Sequence, residues 1–273
     1  MARKEAASGS AANARWRTLR LSVRVLMWRT VLDVGLYAYQ RVERFLLRDP
    51  RFIVASPDYG LESPSVEIDG VRHVSRAQVL QVFLPDFGRS LYQVPLSERR
   101  ARLLRLDWVK DSSISRIWPN KLLVRISERE PVAFIELADP SGVARSGLID
   151  PDGIILERPK QGAFRLPVLL GVQQKDPIAQ RRDRVHRMMR LMSELGQLGD
   201  KVSEVDVADP DNLMATVRWE NRAIVLKLGD HNFARRMQNF ISNYPLIQQR
   251  VPNATTLDMT LEDRITVAEG NTQ

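Results

Sequence analysis

Residues 107–133 read DWVKDSSISRIWPNKLLVRISEREPVA. Two runs of alternating side chains, 112–118 and 122–127, flank Pro119, Asn120 and Lys121. A strand turns successive side chains to opposite faces, so Ile114 and Trp118 share a face of the first run, and Leu122, Val124 and Ile126 share one in the second. With Pro-Asn supplying turn chemistry, the spacing predicts a β-hairpin with one buried face and Trp118 packed beneath it.

Upstream, residues 65–69 place Val66 and Ile68 on one side and end at Gly70, which predicts a strand and a turn. Ser75 and Gln78 have capping-box spacing, with Val74 and Val79 set for a hydrophobic staple. They predict a helix from Arg76 to about Phe83, ended by Pro85 and Gly88. Ser97 caps a second predicted helix through Leu106, with Leu103 and Leu104 inward and Arg99, Arg100 and Arg102 toward solvent. The order strand, helix, helix, strand, strand within about 65 residues lets both helices cover one face of a three-stranded sheet.

Further upstream, residues 1–18 are small, polar and basic and read as a disordered tail. Residues 19–47 turn apolar, but Arg20, Arg24, Arg29, Asp33, Arg41 and Arg44 interrupt them. Arg29 and Asp33 would each cost about 2.5–3.5 kcal/mol near a bilayer centre, and about ten strongly apolar residues at roughly −0.3 to −0.6 kcal/mol return a similar sum. Hydropathy leaves three arrangements open: a marginal span, an interfacial helix, and a span stabilised by partner helices. No compact apolar core precedes a small-residue cleavage site, so a cleavable signal peptide is not expected. Residues 48–64, with Pro50, Pro57, Gly60 and Pro64, read as a linker.

Downstream of Pro131 the chain reads as β-rich. Short apolar strands at 134–137, 148–149 and 154–156 surround the turn Asp150-Pro151-Asp152-Gly153, which lacks the further ligands of a calcium loop. Asp176-Pro177 opens a helix to about Leu195, with Ile178, Val185, Met188, Met189, Met192 and Leu195 as its apolar stripe. Strands follow at 202–207, 213–219 and 223–228, the last two as a hairpin through 220–222. Asp230 caps a helix carrying Phe233, Met237, Phe240, Ile241 and Tyr244 on one side and stopped by Pro245. The last ordered element, 256–267, has two alternating arms around Glu262 and Asp263, and 269–273 is a tail.

The fold class is therefore α+β: an N-terminal membrane-proximal helix, a small β-α-α-β-β domain over 65–131, and a larger β-rich domain with two covering helices over 132–268.

Composition narrows the chemistry. At 273 residues with 44% hydrophobic and 27% charged, the chain can bury a core in about two domains. It has no cysteine, which excludes disulfides, thiolate metal sites and cysteine nucleophiles. The net charge of +8 comes from arginines spread along the chain, without RNP or zinc-finger spacing, so nucleic acid is not an expected partner. His73, His186 and His231 have no metal-ligand spacing, and no Walker, GxGxxG or GxSxG motif occurs. The expectation is a protein without catalytic, cofactor-binding or metal-binding residues and without a small-molecule substrate.

Four segments carry a resemblance. VEIDGVRHVSRAQVL (66–80), GRSLYQVPLSERRARL (88–103), residues 106–133 and LIDPDGIILE (148–157) together resemble the FtsQ/DivIB family of bacterial cell-division proteins. Trp108-Val109, Trp118-Pro119 and the run Glu128-Arg129-Glu130-Pro131-Val132-Ala133 are the most telling pieces, and the similarity runs from about Val66 to Val267.

The resemblance implies that the β-α-α-β-β unit is a POTRA domain and the second unit an FtsQ-type β domain. It implies a noncatalytic divisome scaffold linking early and late division proteins. The location implied is the bacterial inner membrane at the septum, single-pass with a cytoplasmic N terminus and most of the chain periplasmic. FtsB/DivIC-like and FtsL-like proteins are the implied partners. Capture works by β-augmentation, in which an exposed edge offers unpaired N–H and C=O groups to a partner strand. The expected edge is 257–267, with Asp258, Met259, Thr260, Leu261, Ile265 and Val267 facing the partner. Family members often carry Arg-Tyr after an Asp-Leu pair, whereas this chain has Asp258-Met259-Thr260-Leu261. The alternative is a POTRA module of outer-membrane protein assembly or secretion, disfavoured by the lack of repeated POTRA units and of a barrel pattern.

Overall fold

The structure, a computed structural model, describes residues 5–57, 62–138, 144–159, 162–261 and 264–267. The tail residues 1–4 and 269–273, Gly60 of the linker, and the Glu262-Asp263 bend lie outside the described residues. The fold is α+β, and the contacts divide it into two compact units.

The first unit begins with α1 (Glu5–Arg48), so from Glu5 onward the stretch expected as a disordered tail is helical. Eleven large apolar side chains from Leu26 to Phe45 point to solvent all round the helix. Among the described residues no helix is long and apolar enough to cross a membrane.

Residues 49–57 do not form a loose linker. Asp49 caps a single 3-10 turn, Pro50–Phe52, by accepting the Arg51 N–H at 2.9 Å. Phe52 and Val54 are fully buried, and the Val54 N–H donates to the Arg89 carbonyl at 2.9 Å. Two large apolar side chains buried this way contribute roughly 1.5–3 kcal/mol each, enough to hold the segment down.

The predicted β-α-α-β-β order follows as β1 (Val66–Asp69), α2 (Arg76–Val82), α3 (Leu96–Leu103), β2 (Val109–Ile117) and β3 (Lys121–Glu128). The sheet order is β1-β3-β2, with β1 parallel to β3 in the register Val66 to Leu122. Leu122, Val124, Val66 and Ile68 fill the core beneath, as their alternation requires. Gly70 ends β1 at a positive φ of 82°, where an added Cβ would lie 2.1 Å from the Ile126 carbonyl oxygen. Only glycine fits that turn.

Four local expectations fail here. Ser75 starts α2 with extended backbone but makes no side-chain cap bond. The second helix ends at Leu103, and Leu104 is exposed. Arg99 is buried because Asp86, equally buried, holds it through two oxygens at 2.6 and 2.9 Å. Trp118 is 66% exposed, because the hairpin tip projects past the face that Leu122 and Val124 cover.

Among the described residues the second unit is built on a nine-stranded mixed sheet. Its strands are β4 (Ala133–Ala138), β5 (Ala144–Ile149), β6 (Ile155–Leu156), β7 (Val168–Leu170), β8 (Val202–Asp206), β9 (Leu213–Trp219), β10 (Arg222–Gly229), β11 (Thr256–Asp258) and β12 (Thr266–Val267). In space they run β12-β11-β10-β9-β8-β7-β4-β5-β6. Helices α4 (Ile178–Leu195) and α5 (Phe233–Arg250) pack on each other and on the sheet, burying Val185, Met188, Met237 and Phe240 with Val205, Val217 and Leu226. Ile178, expected on the apolar stripe of α4, is 47% exposed at the helix start.

Sequence reasoning missed β7, three residues that pair in parallel with both β4 and β8. The β9–β10 turn falls at Glu220 and Asn221, both at positive φ, as a two-residue hairpin matching the strand twist requires. Helix α5 departs from expectation at both ends. Its N-cap is Asn232 rather than Asp230, and Pro245 sits inside the helix instead of stopping it. Proline forfeits one backbone bond, but Ile247 packs on the core beyond it and keeps the helix running to Arg250.

The ERE-P run of the opening stretch is tied down within the second unit. The Glu128 carboxylate accepts the backbone N–H groups of Arg72, His73 and Val74 at 2.8, 2.9 and 2.8 Å, and the His73 ring nitrogen lies at 3.0 Å. His73 stacks on Trp108, whose indole N–H donates to the Glu157 carbonyl at 2.9 Å. Arg129 donates to Asp150 at 2.6 Å, and Asp150 accepts the Ile154 N–H across the predicted turn.

Burial acts to raise the Glu128 carboxyl, but the three backbone donors and His73 outweigh it and hold the group below its ordinary 4.5. A depressed folded-state pKa gives stability that is present above the unfolded value and lost as pH falls through the folded one. Glu128→Gln is therefore expected to cost about 1.5–3 kcal/mol at neutral pH, the range for hydrogen bonds to a charged group. The gap to wild type should close below the ordinary carboxylate range, as denaturant melts at stepped pH will read.

Candidate functional site

One end of the large sheet is β12, which pairs with β11 in the antiparallel register Leu257 to Val267 and Asp258 to Thr266. On its other side β11 runs parallel to β10, and the bonding direction there fixes which atoms face outward. The Val225 N–H donates to the Thr255 carbonyl, and the Met259 N–H donates to the Lys227 carbonyl. Residues 255, 257 and 259 thus bond toward β10, so Thr256 and Asp258 bond toward β12. Thr266 then faces Asp258, and Ile265 and Val267 turn their main-chain groups away from the sheet. Among the described residues no strand lies beyond β12.

The six residues expected to face a partner separate by role. Met259 is buried and belongs to the core. Asp258 and Thr260 are half-buried, and the Asp258 carboxylate accepts both the Thr260 N–H at 3.0 Å and its hydroxyl at 2.6 Å. That local turn ends β11 and sends the chain toward β12, so the stretch 257–267 is not one continuous edge strand. Leu261 and Val267 are exposed, and Ile265 is half-buried. Burial acts to raise the Asp258 carboxyl. The two Thr260 donors, with Lys227 and Arg236, win and hold it below its usual 3.8.

Beneath the turn, Arg236 of α5 is buried and joins two carbonyls, Leu228 at the end of β10 and Thr260 at 2.9 Å. Its guanidinium also explains Gly229, where a Cβ would lie 2.5 Å from the Arg236 nitrogen. Residues 258–260 are thus pinned to helix and sheet by polar bonds within the chain.

Between the second half of α5 and this segment lies a groove of about 630 Å³. Leu246, Val251, Leu261 and Val267 line it and remain exposed, with Asn239, Asn243 and Arg250 along its rim. The groove gives apolar pockets beside an open hydrogen-bonding edge, the two elements that strand addition uses. Sequence reasoning missed the α5 wall, because reading Pro245 as a stop removed Leu246 and Arg250 from the helix and Val251 from its cap.

Among the described residues, no cluster of three or more metal-ligating side chains occurs.

Comparisons with known proteins agree with this architecture. The family profile of the POTRA domain, FtsQ-type, matches residues 63–129. The cell division protein FtsQ of Koribacter versatilis is 31% identical over 209 residues, which is 74% of this chain and 59% of that protein. The FtsQ of Novosphingobium aromaticivorans is 26% identical over 243 residues, 88% of this chain and 69% of the relative. That of Nitrosospira multiformis is 27% identical over 186 residues, 66% of this chain and 69% of the relative. The chain therefore spans about three fifths of the length of the Koribacter protein.

Proposed function

The chain belongs to the FtsQ/DivIB family, and from that premise we propose that it is a noncatalytic scaffold of the bacterial division complex. It holds FtsB/DivIC-like and FtsL-like partners at the septum through the β12 edge and its groove. The observation that carries this reading is the outward set of main-chain groups at Ile265 and Val267, beside exposed Leu246, Val251 and Leu261. A partner strand adds hydrogen bonds along the edge, and its alternate side chains enter the groove.

In this reading α1 is a single-pass anchor of the inner membrane with its N terminus in the cytoplasm. Support comes from the exposed apolar side chains between Leu26 and Phe45, and from Arg3, Lys4, Arg15, Arg17 and Arg20 on the cytoplasmic side. Arg29, Asp33 and Gln40 follow one another at helical spacing along one stripe, a position from which polar groups face partner helices rather than lipid.

Depleting the protein from its bacterium tests the reading at the level of the cell. Filaments without septa are expected under the microscope. Normal septation with loss of outer-membrane proteins would overturn it in favour of a role in outer-membrane assembly.

A further inference from the structure

The end of α1 carries a group of rings that division-partner binding at β12 does not use. Phe52, itself buried, touches three aromatic rings in the first unit: Phe45 at 5.4 Å, Tyr92 at 5.8 Å and Trp118 at 5.1 Å between centroids. All three are open to solvent, at 46%, 38% and 66% exposure. The Trp118 indole N–H donates to the Tyr92 hydroxyl, so the exposed rings are fixed in place instead of folding inward. Ile117, at the hairpin tip, is exposed beside them.

Basic groups surround the rings. Arg116 is anchored by bonds to the Leu91 and Val94 carbonyls at 2.9 and 2.7 Å, and Arg51 stacks on Phe45 while pairing with Asp49. Arg44 and Arg48, both exposed, flank Phe45 on the helix.

The position of this cluster along α1 gives it a meaning. From Leu26 to Phe45 the helix rises about 28 Å at 1.5 Å per residue, close to the roughly 30 Å of a hydrocarbon core. Phe45 therefore sits at the far boundary of the apolar surface. Exposed Trp and Tyr with basic neighbours at that depth are the composition of a membrane interface, where ring bodies are apolar and their N–H and O–H groups stay wet.

We propose that Trp118, Tyr92 and Ile117, with Phe45 and the arginines, dock the first unit onto the phospholipid headgroup layer on the non-cytoplasmic side. The hairpin tip is a second membrane contact beside α1, and it orients the unit that leads into the β domain. This rests on the reading that α1 is embedded.

Depth-dependent fluorescence quenching tests it on the full chain in phospholipid vesicles. The Trp118 contribution is taken as the difference between wild type and Trp118→Phe, and a mid-helix reference as that between Leu36→Trp, about 15 Å along the helix from Leu26, and wild type. With a spin label on the lipid headgroup, Trp118 is expected to lose most of its emission, and with a label deep in the acyl chain far less of it. The indole of Leu36→Trp is expected to show the reverse. Quenching of the Leu36→Trp indole without quenching of Trp118 overturns the docking while leaving the anchor intact, including where Trp118 is shielded only on adding a division partner. Quenching of neither removes the anchor and the docking together.

Discussion

Asp86→Ala is expected to destabilise the first unit by about 3–5 kcal/mol, the cost of leaving a buried charge without its partner. The Arg99 and Asp86 side chains are 5% and 1% exposed and meet through two nitrogens and two oxygens. Glu98 also reaches Arg99, at 3.2 Å, but its side chain is 52% exposed and solvent screens it. It cannot replace Asp86. A loss of this size is a large part of the 5–15 kcal/mol typical of a domain. Amide exchange at Leu122 and Val124 in the central strand reads it directly. Replacing both partners together, as Asp86→Leu with Arg99→Met, is expected to recover most of the loss, because no charge then remains in the core. An unchanged exchange rate in Asp86→Ala would mean that the guanidinium finds water or another partner there.

The second large effect concerns binding. Ile265→Pro combined with Val267→Pro removes the two N–H groups that face away from the sheet and leaves the Thr266 pairing with Asp258 in place. Two hydrogen bonds at about 0.5–1.5 kcal/mol each correspond to roughly a 5- to 150-fold loss of affinity for an FtsB-like partner. Thr266→Pro is the informative contrast. Its N–H faces β11, so that change loosens the edge strand itself and should also raise amide exchange at Asp258. Equal partner capture by wild type and the double variant would remove β12 as the binding edge.

Much of this fold was legible because local patterns and burial agree. Leu122, Val124 and Ile126 alternate and are buried, and the strands at 213–219 and 223–228 were found where β9 and β10 lie. The failures share a cause, which is that distant residues decided them. Arg99 read as solvent-facing because its partner lies 13 positions away in a proline turn. Trp118 continues the alternation of the run before it, yet β2 ends at Ile117 and the ring, touching Phe52 on one side, stays open to solvent. The β7 strand is too short to show a period and exists through parallel pairing with β4 and β8.

At the candidate site the alternation of 256–267 anticipated strands, and β11 and β12 lie at one end of the sheet. It could not show that Asp258 and Thr260 close a turn on each other, or that α5 passes Pro245 to wall the groove.

Residue-resolved amide exchange on the full chain, with and without an FtsB-like partner, tests the edge most directly. The expected result is slowed exchange at Ile265 and Val267 on binding, with Thr266, already paired inward, little changed. Protection concentrated elsewhere, with Ile265 and Val267 exchanging as in the free chain, would contradict capture by strand addition at β12.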